Sequence, residues 1–192
     1  KGIGKAIAIK LAQSGYNLAI CARTESDLIA LQNQLQAYNV KVNVFIADFS
    51  RKADVISFCE FVKSCFTTID ILVNNAGYGL VGPLGHYSIE KNRDMMTLNM
   101  LTLTEMCQTF LPMLKRQSKS YIMNIASSTA YQALPHMAIY AATKVFVLNF
   151  TRALKHELDG TSVSVTAISP GSTATDFNDR AEVGEKALKA AE

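Results

Sequence analysis

Hydrophobic positions along the chain alternate between two textures. Short β-branched runs at 17–21, 42–47, 69–73, 120–125 and 162–168 read as buried strands. Between them, 5–14, 26–38, 53–65, 89–115 and 140–158 carry apolar residues at helical spacing. Alternation of this kind predicts an α/β fold, with a parallel sheet covered by helices on both faces. Boundary residues agree. Gly15 and Gly160 sit where helices close before a strand. Thr24 can cap the helix at 26–38, with Asp27 in an acidic first turn. Pro112 falls near the end of its helix, where it bends or finishes it. There are no repeats or linker-like segments, and the expectation is one domain over 1–192.

Composition narrows the picture. The 192 residues are 49% hydrophobic and 18% charged, enough to close an apolar core. A net charge of +3, spread along the chain, argues against nucleic acid or an anionic membrane as partner. No apolar stretch approaches the roughly 20 residues that span a bilayer. Cys21, Cys59, Cys65 and Cys107 form no CxxC pair and have no His at ligand spacing. They read as reduced core residues of a cytoplasmic protein, and no metal site is expected.

Two segments suggest a phosphate-binding corner. Lys1-Gly2-Ile3-Gly4 runs straight into a helical pattern. Glycines there let backbone approach a phosphate, and a helix start offers free N–H groups. A tight turn would ask for the same residues. About twenty residues on, a dinucleotide-binding fold places the group that reads the adenosine ribose. An acid there accepts from the 2′-hydroxyl of NAD. This chain has Arg23 instead, whose planar fork of donors suits a 2′-phosphate, and Lys1 can close on the same group. Both lean toward NADP(H). The plain alternative for Arg23 is a solvated loop residue.

More pieces follow in order. Asp48-Phe49-Ser50 ends one strand and Asn74-Asn75-Ala76-Gly77 the next, at carboxyl ends where open α/β sheets bind ligands. Ser127 follows the strand at 120–125, Tyr140-Ala141-Ala142-Thr143-Lys144 gives a YxxxK, and Pro170-Gly171 ends the last strand. In this sequence of motifs the chain resembles the single-domain short-chain dehydrogenase/reductase family, in its TGxxxGxG form. The resemblance covers essentially the whole chain.

It implies a Rossmann-type doubly wound sheet in three α/β/α layers and an oxidoreductase that moves a hydride between NADP(H) and a ketone or secondary alcohol. It also implies a catalytic tetrad of Asn99, Ser127, Tyr140 and Lys144. Ser127 is preferred to Ser128 because the family's serine lies 13 residues before its tyrosine. Tyr140 and Lys144, four apart, share one helical face. An ammonium beside a phenol is expected to lower its pKa toward the working range. Tyr140 would protonate the nascent alkoxide and Ser127 hold the carbonyl oxygen. Lys144 would also bind the nicotinamide ribose, and Asn99 would hold a water that relays protons. Taken alone, Asn99 could instead bond nearby backbone.

Cofactor contacts carried over are Lys1, Gly2, Ile3, Gly4, Arg23, Asp48, Asn75, Ala76, Gly77, Tyr140, Lys144, Pro170, Gly171, Thr173 and Thr175. Asn74, Asn75 and Asp48 also suit plain capping roles. His86, His136 and His156 read as surface or packing residues. His136, Met137, Tyr78, Leu80 and Val81 are placed to touch an apolar substrate. Relatives are commonly homodimers or homotetramers, and Leu98, Leu101, Met106, Phe146 and Phe150 suit either an interface or the core. The resemblance further implies a strand and the TGxxx segment before Lys1, a strand and helix after Glu192, and a longer lid where 177–184 stands. Two other readings compete: a non-catalytic cofactor-sensing scaffold, against which the intact YxxxK argues, and an isomerase or lyase of the extended branch, against which the NNAG turn argues. Within the leading reading, a 3-oxoacyl thioester reductase is one specific possibility.

Overall fold

Every β-branched run becomes a strand, within a residue or two of its predicted bounds. The computed structural model describes residues 1–171. The chain divides into two units, Lys1–Thr67 and the part from Thr68 onward.

The first unit contains α1 (Gly2–Gln13), β1 (Leu18–Ala22), α2 (Glu25–Leu35), β2 (Val42–Ile46) and α3 (Lys52–Cys65). Gly15, at φ +84°, takes the left-handed turn after α1 that a side chain would resist. Thr24 occupies the N-cap of α2 but makes no side-chain cap bond, so Glu25 and Asp27 in the first turn favour that terminus instead. Strands β1 and β2 pair in parallel, from Leu18 opposite Val42 to Ala22 opposite Ile46. Their inner residues close on Ala8, Ala12, Leu31 and Leu35. Phe45, Phe49, Phe58 and Phe61 pack at tilted angles with ring centroids 5.0 to 6.4 Å apart. Because Ala22 and Ile46 are in register, Arg23 and Asp48 leave the sheet from the same carboxyl end.

The second unit contains β3 (Ile71–Asn74), α4 (Ile89–Met96), α5 (Leu103–Leu114), β4 (Ser120–Ile125), α6 (Ala138–Glu157) and β5 (Val163–Ile168). Its strands run parallel in the order β3-β4-β5. The single helix predicted over 89–115 is interrupted by a π-helical turn, Thr97–Thr102, that turns Asn99 inward. Periodicity could not show this, since the buried positions Met95, Asn99, Leu103 and Met106 keep helical spacings of three or four across the turn. Pro112 lies inside α5, which runs on to Leu114. Gly160, at φ +78°, makes the turn between α6 and β5. Among the described residues no helix is long and apolar enough to cross a membrane.

A buried polar chain ties this sheet to its helices. Asn74 Nδ2 donates to Asn124 Oδ1 at 2.8 Å and to Cys107 Sγ at 3.2 Å. Asn124 Nδ2 donates to Thr151 Oγ1 at 3.0 Å, and that hydroxyl donates to the Val147 carbonyl at 2.6 Å. Asn124 and Thr151 are fully buried, so each bond replaces one that water would have made. Asn124→Leu keeps the number and branching of side-chain heavy atoms but strands the Asn74 amide and the Thr151 lone pair. It is expected to cost about 2 kcal/mol, or about 4–8 °C in Tm, by thermal melting. An unchanged Tm would mean the chain adds no net stability.

Candidate active site

Parallel register puts the ends of β3, β4 and β5 at one edge, with Asn74 beside Asn124 and Ile125 beside Ile168. The segments that follow each strand therefore meet. Ser128 N–H donates to the Pro170 carbonyl at 2.9 Å, which binds the turn after β4 to the end of β5. Ser127 is buried, whereas Ser128 is exposed in a short 3-10 turn, Ser128–Tyr131. The Ser127 hydroxyl accepts from Thr129 N–H at 3.2 Å and hydrogen-bonds the Tyr140 phenol. Tyr140 lies in the first turn of α6, packed with Leu80 and Met95.

One helical turn on, Lys144 is buried, its ammonium donating to the Ile125 carbonyl at 2.9 Å. It stands 5.8 Å from the centroid of the Tyr140 ring. Asn99 comes from the π turn. Its Nδ2 donates to the Tyr78 carbonyl at 2.9 Å and to Thr143 Oγ1 at 3.0 Å, and its Oδ1 accepts from Tyr78 N–H at 3.2 Å. Gly77 closes the cluster. A Cβ there would meet Asn99 Oδ1 at 2.9 Å and Lys144 Nζ at 3.5 Å, so only glycine fits. Asn75 is half-buried and Ala76 exposed beside it. Asn99, Ser127, Tyr140 and Lys144, scattered over 46 positions of sequence, are thus brought together.

Electrostatics here follow burial. Lys144 is pushed down to about 8 because its charged form has lost water. Tyr140 moves the other way. Burial raises its phenol above the ordinary tyrosine value, and the hydrogen bond from Ser127 only partly offsets this. The expectation that Lys144 lowers the phenol is therefore corrected: burial sets the direction, and the ammonium is engaged by the Ile125 carbonyl.

In the first unit, Gly2 has φ +58° at the start of α1, a left-handed conformation that favours glycine, with Ile3 and Gly4 in the turn behind it. Lys1 pairs with Asp27 at 3.6 Å, and Arg23 is exposed after β1. Asp48 Oδ1 accepts from the backbone N–H of Ser50 at 3.1 Å and from its hydroxyl at 2.8 Å. Burial works to raise the Asp48 carboxyl, but these bonds and the charges of Arg23 and Arg51 hold it below the usual carboxylate range. Glycine at a helix start, cations and a fixed carboxylate form a donor set that fits a phosphate and a ribose or base.

Other predicted residues fall elsewhere. Gly171 is exposed after β5, while Thr173, Thr175 and 177–184 lie outside the described residues. His156 lies 3.5 Å from Asp159, and His86 packs edge-on against Tyr87. His136 has φ +64°, and its carbonyl accepts from Gly82 N–H at 2.8 Å. Two buried polar residues, Thr143 and Asn124, were not singled out from sequence. Their signal was a hydrogen-bonding side chain inside an otherwise buried run.

The family model described as short chain dehydrogenase matches residues 1–186. An oxidoreductase of Staphylococcus epidermidis is 35% identical over 185 residues, covering 96% of this chain and 79% of the relative. A short-chain dehydrogenase from Sphingobium yanoikuyae, solved in complex with NADPH, superposes with a TM-score of 0.89 at 32% identity, over 95% of this chain and 72% of that one. A short-chain dehydrogenase/reductase from Burkholderia phymatum, in complex with NAD, gives 0.86 at 26% identity, over 98% and 72%. The parallel strands joined through helices and the sequence match agree, and the chain belongs to the short-chain dehydrogenase family of Rossmann-fold oxidoreductases.

Proposed function

We propose that the chain is an NADP(H)-dependent carbonyl reductase in which Tyr140 is the general acid and base. The observation that carries this reading is the Ser127 hydroxyl bonded to the Tyr140 phenol, with a buried lysine one turn away. A bound nicotinamide dinucleotide supplies the hydride. Tyr140, its proton held tightly by burial, donates to the oxygen of the reduced carbonyl. Ser127 orients that oxygen. The Lys144 ammonium, short of water, stabilises the phenolate left behind, and Asn99 maintains the path by which the proton returns.

The neighbours carry NADPH in one case and NAD in the other, which supports a nicotinamide cofactor. Lys1 and Arg23 support the phosphorylated form. Gly2, Ile3, Gly4 and Asp48 of the first unit would hold its adenosine and phosphates. In the second, Asn75, Ala76, Gly77, Lys144, Pro170 and Gly171 would hold the nicotinamide end, with Thr173 and Thr175 beyond. An apolar substrate is supported by Leu80, Met95, Met137 and Ile139, which line a pocket that Asn92 and His136 also border. Leu101 is 56% and Phe146 38% exposed, which supports burial against a second copy in a homodimer or homotetramer. Free cysteines support a cytoplasmic setting, Cys21 and Cys107 being pushed up by burial to about 12 and about 11 and so unreactive.

Oxidation of NADPH and NADH over a carbonyl panel that includes a 3-oxoacyl thioester tests the reading. Tyr140→Phe is expected to lose on the order of 10²- to 10⁴-fold in turnover while cofactor binding persists. Retained turnover refutes Tyr140 as the acid. Arg23→Ala should weaken NADPH by roughly tenfold or more and leave NADH nearly unchanged, and equal losses for both would remove its assigned role.

Stability also follows from the lysine. Between about pH 8 and the ordinary lysine range the unfolded chain keeps a proton the folded chain has released, so stability rises with pH there. At pH 7 the buried charge costs about 3 kcal/mol. Lys144→Met is expected to stabilise the fold by about 2 kcal/mol at pH 7, part of the gain being lost with the bond to Ile125. Denaturant titrations should show this gap shrink toward pH 10. A gap independent of pH would mean that the lysine titrates normally.

A further inference from the structure

Thr143, between the tyrosine and lysine of YxxxK, is 1% exposed, and its hydroxyl has two partners. It donates its one proton to the Tyr140 carbonyl at 2.7 Å. What faces Asn99 is therefore a lone pair, which accepts from Nδ2 at 3.0 Å. The other N–H of that amide goes to the Tyr78 carbonyl, and the amide oxygen accepts from Tyr78 N–H. Turning the amide over would set its oxygen against the Tyr78 carbonyl and against a hydroxyl with no proton left to give. One orientation alone satisfies all the groups. In it Asn99 Oδ1, and not the amide nitrogen, faces the gap left by Gly77, which Lys144 Nζ also borders.

We infer that Thr143 is a positioning residue for the reaction, its hydroxyl locking the Asn99 amide so that an acceptor oxygen faces the Gly77–Lys144 gap. The same hydroxyl anchors the first turn of α6 through the Tyr140 carbonyl, so one side chain couples the backbone of the proton donor to Asn99. The inference rests on the tyrosine-dependent reduction proposed above. A threonine serves here because its methyl fills buried space that serine leaves open, while the hydroxyl supplies the bond.

The test compares Thr143→Val, which keeps shape and loses the hydroxyl, with Thr143→Ser, which keeps the hydroxyl. Both are made in the full chain and checked by NADPH binding and thermal melting. In Thr143→Val, kcat should fall on the order of tenfold or more with KM for the carbonyl little changed, since a buried donor loses its partner where the reaction occurs. Thr143→Ser should recover most of that loss. A second readout needs no turnover: exchange of the Asn99 side-chain amide protons in ¹⁵N-labelled protein. Both should be protected in the parent and in Thr143→Ser, and in Thr143→Val one should exchange at least roughly tenfold faster. Unchanged kcat in Thr143→Val overturns the inference, as does a Thr143→Ser variant no better than Thr143→Val. Should the parent turn nothing over, the reductase reading fails by itself. Amide exchange then decides separately whether Thr143 holds Asn99, equal protection in all three overturning it.

Discussion

An ammonium group withdrawn from water is the constraint around which the second unit is arranged. Lys144 is buried, and its Nζ is held by the Ile125 carbonyl at the carboxyl end of β4. A buried cation is costly unless pairing or hydrogen bonds offset its lost hydration. Residue 77 beside it is glycine, since a Cβ there would strike Asn99 Oδ1 and stand in contact with Nζ. Tyr140, one helical turn back, shares the same dry surroundings and is pushed in the opposite direction. A phenol that holds its proton and a lysine that readily gives one up stand 5.8 Å apart, ring centroid to nitrogen. Burial thus drives the two pKa values apart, and titratable neighbours separated in this way mark acid–base sites.

The scaffold makes that arrangement possible through register. Three parallel strands end together, so the NNAG turn, Ser127 and Pro170 gather without any of them being close in sequence. The Asn74–Asn124–Thr151 chain holds the sheet against α6 from within, and α6 presents Tyr140, Thr143 and Lys144 to the strand ends. Arg23 and Asp48 share a strand end in the first unit for the same reason.

Much of this was legible in the sequence, and the exceptions have physical causes. Strands and helices followed hydrophobic period, which burial imposes directly. The choice of Ser127 over Ser128 came from spacing to Tyr140, and the structure buries the former and exposes the latter. What spacing could not supply was the π turn at Asn99, because Met95, Asn99, Leu103 and Met106 keep a helical spacing straight through it. Direction of the Tyr140 shift was also missed. A four-residue spacing says that two side chains are neighbours but not how much water they have lost, and water loss decided the sign. Thr143 gives no periodic signal, and the direction of its hydroxyl depends on partners 3 and 44 residues away.

Direct titration of the Lys144 ammonium, followed by ¹⁵N NMR in the full chain without cofactor, tests most closely whether Nζ has lost its water. A midpoint at about 8, well below the ordinary lysine value, is expected because Nζ is buried against Ile125. A midpoint near 10.4, the ordinary lysine value, would mean that the ammonium is hydrated, and the account of Tyr140 and Lys144 as a desolvated pair would be contradicted.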